Sequence, residues 1–163
     1  MLNIYNCTLE CYCDASFANL PDCGSQGGFV IFLQDSNLKK CPILWKSRKI
    51  RRVVKSTLAA ETLALVDCAE AAVYIKEIFR EICLIEHVPI NCYVDNKSLI
   101  DALNSKKNVE DKRLRIDLAI IEEMIKNKEI SSVTWIGSSH QLANCLTKRG
   151  ASSKSLRASI SQE

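Results

Sequence analysis

Three acidic residues, far apart in the chain, stand where predicted elements of structure begin or end. Asp14 follows a strand-like alternating segment, Glu61 lies one turn into a long helical pattern, and Asp95 ends a nearly continuous apolar segment. If the long helix packs beside the first and fourth strands, the three side chains can meet at one edge of a sheet. Carboxylate groups bind hard cations and exchange protons, so such a meeting point is the first place to expect chemistry.

Each acid also has an ordinary structural explanation. Asp95 can be the N-cap of the helix that follows it, because its side chain can accept from the first backbone N–H groups of that helix. Glu61 can be a charge near the helix start that the helix dipole favours, and Asp14 can be a loop acid. Each explanation holds for its own residue, and only the order of the surrounding elements favours a shared site.

The elements that must position these acids follow from the apolar patterns. Alternating or apolar runs predict five strands, near residues 7–14, 27–33, 42–45, 89–94 and 132–136. Helical spacing predicts a long helix over 56–84 with Ser56 and Thr57 as caps, and further helices after Asp95, over 114–125 and over 141–146. A polar, lysine-rich hinge at 104–108 separates the second helix from the third.

This order of elements predicts an α/β fold. An antiparallel meander followed by parallel strands gives a five-stranded mixed sheet, with helices on both faces. A chain of 163 residues is long enough for one domain with a single core, and we expect that domain to span residues 1–150. Residues 151–163 are rich in serine, and we expect them to form a flexible tail.

The cysteines and the apolar runs narrow the class of protein. The nine cysteines are odd in number, no two are spaced C-x-x-C, and only two histidines are present, which argues against a zinc site or a disulfide framework. Reduced thiols in apolar runs act as small hydrophobic side chains. No run has the length of a membrane span or the pattern of a leader peptide. We therefore expect an intracellular protein, cytoplasmic or nuclear, in a reducing environment and without a membrane partner.

Basic residues concentrate in one segment, although the formal net charge is only +3. Residues 39–55 contain no acid and eight basic residues: Lys39, Lys40, Lys46, Arg48, Lys49, Arg51, Arg52 and Lys55. Such a run is typical of a phosphate-binding surface, although a solvated strand and loop face explains it equally well. Because the run leads into the helix of Glu61, we expect Arg48, Lys49, Arg51, Arg52 and Lys55 to bind nucleic-acid phosphates.

Six short motifs occur in order over roughly residues 10–150. They are YCDASFA at 12–18, GGFV at 27–30, WKSRK at 45–49, STLAAE at 56–61, VDNKS at 94–98 and QLANCLTK at 141–148. Together they resemble the ribonuclease H domain of copia-type retrotransposon polyproteins, a retroviral-like ribonuclease H. The resemblance implies the five-stranded ribonuclease H sheet and a metal-dependent endonuclease that cuts the RNA strand of RNA/DNA hybrids.

The resemblance also implies roles for the three acids. Asp14, Glu61 and Asp95 would be catalytic and would bind two Mg²⁺ or Mn²⁺ ions roughly 3.5–4 Å apart, because such ions need hard anionic ligands. One ion would activate the attacking water, and the other would stabilise the leaving 3′ oxygen. The implied partners are an RNA/DNA hybrid and a reverse transcriptase domain in the same polyprotein.

The sequence departs from the family pattern at the fourth catalytic position, which is Asn144 instead of an aspartate. An asparagine keeps a carbonyl oxygen but removes a negative charge, so we expect weaker metal binding. The alternative is a catalytically inactive remnant of the same fold that binds nucleic acid. His140 stands near the place of a product-release histidine, although a surface or capping residue explains it as well.

Substrate contacts near the acids complete the expected site. Ser16, Asn96 and Ser98 follow or flank the acidic positions, and we expect them to contact the minor groove, where the 2′-hydroxyl distinguishes RNA from DNA. Contacts of this kind read the shape of the hybrid and carry no base-sequence specificity.

Overall fold

A five-stranded mixed sheet forms the framework of the protein, whose computed structural model describes residues 4–105 and 109–161. The strands are β1 (Cys7–Ser16), β2 (Gln26–Asp35), β3 (Lys40–Lys49), β4 (Ile90–Val94) and β5 (Ser132–Trp135), in the order β3-β2-β1-β4-β5. The first three strands pair antiparallel, and β4 runs parallel to both β1 and β5. The predicted meander followed by parallel strands is confirmed.

The helix α1 (Thr57–Cys83) packs against the centre of one sheet face. It begins after Ser56, whose hydroxyl accepts a hydrogen bond from the Ala59 N–H, as the cap prediction requires. Most of its buried side chains are small, which lets the helix approach the sheet closely, and Leu65 is fully buried between them. Burial of such a leucine contributes about 1.5–3 kcal/mol, so this interface holds the start of α1 firmly beside β1.

Two further helices extend the same layer. In α2 (Lys97–Asn104) the side chain of Asn96 caps the start by accepting from the Leu99 N–H at 3.2 Å. The side chain of Asp111 caps α3 (Lys112–Lys126) by accepting from the N–H groups of Arg113 and Leu114. The cap of α2 is thus Asn96, which leaves the Asp95 carboxylate available for another role. Residues 106–108 of the predicted hinge lie outside the described residues.

The opposite sheet face carries α4 (Asn144–Thr147) and α5 (Lys154–Ile160). Three leucines from these helices and from the preceding turn pack on Val30 and Phe32 of β2. The leucines are Leu142, Leu146 and Leu156. Helices therefore cover both faces of the sheet, as predicted. The α4 helix is short, and its contacts with β1, β2 and β3 place it beside the end of β1.

Two features at the carboxyl-terminal end differ from prediction. The helix predicted over 141–146 begins only at Asn144, because the buried Gln141 side chain bonds to strand carbonyls and holds the preceding residues on the sheet. Residues 151–163, predicted to be a flexible tail, include the helix α5. The serines concealed this helix in the sequence, and it forms here because Leu156 packs into an apolar cluster.

The cysteines serve mainly as core residues. None of the nine, all of which lie within the described residues, forms a disulfide. Five are buried, namely Cys7, Cys11, Cys13, Cys68 and Cys92, whereas Cys83 is only partly buried. Over residues 4–105 and 109–161, no helix combines the length and the apolar character that crossing a membrane requires.

Candidate functional site

The three predicted acids lie together at one edge of the sheet. Asp14 lies near the end of β1, Asp95 follows β4, and Glu61 is the fifth residue of α1. Because β1 and β4 are parallel neighbours, their carboxyl ends meet at the same edge, where α1 also begins. One carboxylate oxygen from each residue lies within 4.8 Å of the others. The structure thus brings together the acids that the sequence singled out.

Asp14 is completely buried and hydrogen-bonded at both carboxylate oxygens. Its Oδ2 accepts from the hydroxyl of Thr147, and its Oδ1 accepts from the ammonium of Lys148 at 3.1 Å. Burial raises the pKa of Asp14, and nearby Asp95 raises it further, while the bonds from Thr147 and Lys148 oppose this rise. The residue is therefore held in one orientation in the site.

Glu61 is buried and surrounded by like charge. Its Oε2 accepts a hydrogen bond from the backbone N–H of Ala15 at 3.2 Å. Burial, and after it the charges of Asp14 and Asp95, raise the pKa of Glu61 to about 9. Without a bound cation the side chain is protonated at neutral pH, and a cation that binds there must displace this proton.

This set of donors fits a divalent cation. All three residues supply hard carboxylate oxygens, which Mg²⁺ and Mn²⁺ prefer, and their mutual repulsion at this spacing is relieved by a positive ion. Asp14, Glu61 and Asp95 would hold it. The number of ions and their identity stay predictions.

Asn144 lies next to this cluster, and the side chains of Thr147 and Lys148 link it to Asp14 by hydrogen bonds. Its Nδ2 donates to the carbonyl of Ser138 at 2.7 Å, and its Oδ1 accepts from the ammonium of Lys148 at 2.5 Å. Lys148 therefore bridges Asn144 and Asp14. The sequence analysis missed Lys148, although its position four residues after Asn144, one turn along the chain, was a signal available in the QLANCLTK motif.

The segment carrying Asn144 is held on the sheet by buried contacts. The side-chain amide of Gln141 donates to the carbonyls of Cys13 and Tyr93, at 2.9 and 3.2 Å, and so ties this segment to both β1 and β4. Gly28, which pairs with Asp14 across β1 and β2, allows α4 to approach the sheet. A Cβ at Gly28 would lie only 2.9 Å from that of Leu146. These contacts set the position of Lys148 relative to Asp14.

A cavity of about 450 Å³ opens beside the acids. Its lining consists of Ala15, Ser16, Phe17, Thr57, Glu61, Asp95, Asn96, Lys97 and Lys148. Of the predicted substrate contacts, Ser16 and Asn96 line this cavity, whereas Ser98 is exposed on α2 outside its lining. His140 is exposed in a 3₁₀ turn, with its Nδ1 3.2 Å from the Ser139 hydroxyl, and it does not line the cavity either. Its role in product release stays a prediction.

Acidic residues from elsewhere in the fold neutralise much of the predicted basic surface. Arg48 pairs with Asp67, Lys49 with Asp22 and Arg52 with Asp117. The sequence could not show these pairs, because the acids lie outside residues 39–55 and reach the basic segment only in the fold. The basic run is therefore partly structural.

Two of the predicted basic contacts have a different environment. Arg51 and Lys55 are exposed, and neither takes part in the ion pairs found over residues 4–105 and 109–161. Lys55 also lines a cleft of about 740 Å³ between the β3–α1 connection and the start of α3, together with Lys112 and Arg113. These positions present positive charge to solvent beside the start of α1.

Comparison with known proteins identifies the architecture. No protein-family model matches the sequence. Among solved structures, the chain is similar to RNase H1 from the halophilic archaeon Halobacterium salinarum NRC-1, with 18% identity and a TM-score of 0.63 over 93% of this chain and 98% of that one. The chain has the ribonuclease H fold. Its sheet order and the helices on both faces are those described above.

Two further structures with the ribonuclease H fold extend the comparison. LC11-RNase H1, solved in complex with an RNA/DNA hybrid, matches with 15% identity and a TM-score of 0.61 over 86% of this chain and 94% of that one. The foamy viral protease-reverse transcriptase, also solved with an RNA/DNA hybrid, matches with 14% identity and a TM-score of 0.58 over 85% of this chain and 18% of that one. At these identities the likeness concerns the fold, and the copia-type resemblance stays a prediction.

Proposed function

We propose that this protein is a metal-dependent endonuclease that cleaves the RNA strand of RNA/DNA hybrids. The observation that carries the proposal is the meeting of Asp14, Glu61 and Asp95 within 4.8 Å at the edge of a sheet with the ribonuclease H fold. Asp14 and Glu61 are buried and Asp95 is partly buried, and carboxylates this close together are costly to the fold unless a cation joins them. Their presence beside an open cavity therefore favours a metal-dependent reaction.

The surrounding residues would bind the hybrid and orient it. A divalent ion bound at the acids supplies an activated water and offsets negative charge at the reacting phosphate. Ser16 and Asn96, which line the cavity, would contact the sugar of the RNA strand and distinguish its 2′-hydroxyl. The exposed side chains of Arg51 and Lys55 would hold backbone phosphates beside the start of α1.

The proposed origin is a retroelement polyprotein of copia type, with a reverse transcriptase domain as the partner in the same chain. Support comes from the six ordered motifs and from the likeness to part of a foamy viral protease-reverse transcriptase. Sequencing the coding region that flanks this chain tests the origin, because a copia-type element places a polymerase domain upstream.

A second candidate function is that of a hybrid-binding protein without turnover. Asn144 favours it, because this neutral side chain stands beside the acidic cluster where the family pattern has a fourth acid. The two functions differ in their response to Asn144→Asp. A weakened enzyme gains rate with this change, whereas a binding protein stays without cleavage in both forms.

Incubation of the purified protein with a labelled RNA/DNA hybrid and a range of Mg²⁺ or Mn²⁺ concentrations tests the proposed function. We expect metal-dependent cleavage that Glu61→Gln abolishes, since glutamine keeps the size of the side chain but binds cations poorly. Binding of the hybrid should persist in this variant. Equal cleavage by both proteins would assign the activity to a contaminant and contradict the proposal.

A further inference from the structure

The ammonium of Lys148 lies between two oxygen atoms at the candidate site, a position that a bound cation could also take. Its ammonium donates to Asp14 Oδ1 at 3.1 Å and to Asn144 Oδ1 at 2.5 Å. The Lys148 side chain is 43% exposed whereas that of Asp14 is fully buried, so the amine reaches the acid from the solvent side of the cavity. An acid oxygen and an amide oxygen thus face one positive charge.

The three carboxylates provide a separate position for a cation. Asp14, Glu61 and Asp95 come within 4.8 Å of one another through their own oxygens. Asn144 has no carboxylate, and the ammonium of Lys148 links its side-chain Oδ1 to Asp14. Two cation positions therefore share Asp14, one among the three acids and one between Asp14 and Asn144.

Lys148 is anchored in this place by its neighbours. Its backbone N–H donates to the carbonyl of Asn144 at 3.0 Å, and the preceding residue, Thr147, is buried with its hydroxyl on Asp14 Oδ2. The close approach of α4 to Gly28 fixes this segment against β2. These contacts hold the backbone of Lys148 in place, so its ammonium lies beside Asp14.

We propose that Lys148 is a resident cation of the site, that its ammonium takes the position between Asp14 and Asn144, and that the protein binds a single divalent ion through Asp14, Glu61 and Asp95. This inference rests on the proposed function and refines it, since the family resemblance implies two ions. In the family pattern a fourth acid helps to bind a second metal ion. In this chain the ammonium of Lys148 would take the place of that ion.

The charges of the described residues support one ion. Three ionised carboxylates carry three negative charges, which one divalent ion and one ammonium balance. With a second divalent ion, the two ions and Lys148 would carry five positive charges against three negative ones. An excess of two positive charges in a partly buried site is strongly unfavourable, because the cations would repel one another at short range. An aspartate at position 144 would supply only one of the missing negative charges while Lys148 remains.

The test is to count bound Mn²⁺ by electron paramagnetic resonance of the free ion, with four proteins: wild type, Lys148→Met, Asn144→Asp and the double variant. We expect one ion for the wild type and for Asn144→Asp. Lys148→Met should bind its ion at least about tenfold more tightly, because a nearby positive charge is gone. The double variant should bind two ions.

Lys97→Met is the matched control, because Lys97 lines the same cavity but is absent from the ion pairs of the described residues. Its removal should tighten Mn²⁺ binding less than about threefold, since its exposed charge is screened. If Lys148→Met fails to fold, as shown by the loss of a cooperative melting transition, Lys148→Gln replaces it.

The outcomes separate this inference from the proposed function. Three results would overturn the inference: two ions on the wild-type protein, a Mn²⁺ affinity of Lys148→Met no greater than that of Lys97→Met, or a single ion on the double variant. None of these results would bear on whether the protein cleaves hybrids. Conversely, the predicted ion counts without any cleavage would support the resident ammonium and contradict the proposed enzyme. Mn²⁺ binding that Glu61→Gln leaves unchanged would overturn both.

Discussion

Replacement of Gly28 by alanine should displace the segment that completes the site. An added Cβ would lie 2.9 Å from Cβ of Leu146, 3.0 Å from Cγ2 of Thr147 and 3.1 Å from the backbone oxygen of Lys46. Favourable contacts between carbon atoms lie at about 3.5–4.0 Å, so α4 must retreat by roughly 0.5–1 Å. The backbone of β3 blocks relief on the other side. The retreat carries Thr147 and the following Lys148 away from Asp14.

The size of the effect follows from these contacts. Overpacking at a site with little room costs about 1–3 kcal/mol. For a chain of this length each kcal/mol lowers the melting temperature by about 2–4 °C. Because the displaced residues bond to Asp14, hybrid cleavage should fall by more than the loss of folded protein explains, measured well below the melting temperature.

Gly27→Ala is the matched control for this variant. Its added Cβ would meet side-chain atoms of Ile50 at 3.3 and 3.5 Å, and it would lie 3.8 Å from Cβ of Ala64. The expected loss of unfolding free energy is below about 1 kcal/mol. Thermal and urea unfolding of both variants, with cleavage rates, make the comparison. If Gly28→Ala is as stable and as active as Gly27→Ala, then α4 does not need its close approach, and the reasoning is refuted.

Three further predictions concern other parts of the site. The folded-state pKa of Glu61, about 9, exceeds its ordinary value of 4.5, so the metal-free protein should lose stability as pH rises between these values, by at most about 1.4 kcal/mol per pH unit. In urea unfolding Glu61→Gln should flatten this slope, and an unchanged slope would contradict it. Gln141→Leu removes donors to two strand carbonyls and should lower the unfolding free energy by about 1–3 kcal/mol, whereas full stability in urea would contradict the anchoring role. In salt titrations of hybrid binding, Arg51→Ala should reduce the slope of log affinity against log salt concentration by about one. Arg52→Ala should instead destabilise the fold, because the buried Asp117 loses its partner. Equal effects of the two changes would contradict the distinction.

Much of the site was predictable because strand ends are visible in a sequence. An alternating segment before Asp14 and an apolar one before Asp95 predict strands, and parallel strands bring their carboxyl ends to one edge. Glu61 lies one turn into a helix whose cap, Ser56, is a local signal. These local signals, together with the order of the elements, indicate where the acids meet.

What the sequence could not show depends on contacts between distant segments. Gln141 bonds to a strand 128 residues away, and Lys148 reaches Asp14 across 134 residues. The partner of Arg52 lies 65 residues further along the chain. Local pattern carries no information on such pairs, and for that reason the basic segment was predicted to be more available than it is.

The helix α5 shows the same limit for packing. Leu156 is one of few large apolar residues in a serine-rich segment, and the local composition predicts a flexible tail. The helix becomes favourable because Leu156 packs on the sheet face where β2 presents Val30 and Phe32. Its existence follows from packing on β2, a strand more than 100 residues earlier in the chain.

The most direct measurement follows which strand of a labelled RNA/DNA hybrid the purified protein cuts, in Mg²⁺ or Mn²⁺, and which ends it leaves. The proposed function predicts cuts in the RNA strand alone, with a 3′-hydroxyl on one product, no cleavage of the DNA strand or of single-stranded RNA, and loss of all cuts in Glu61→Gln. Cleavage that occurs without a divalent ion, or that survives in Glu61→Gln, would contradict the assignment of Asp14, Glu61 and Asp95 as its metal site.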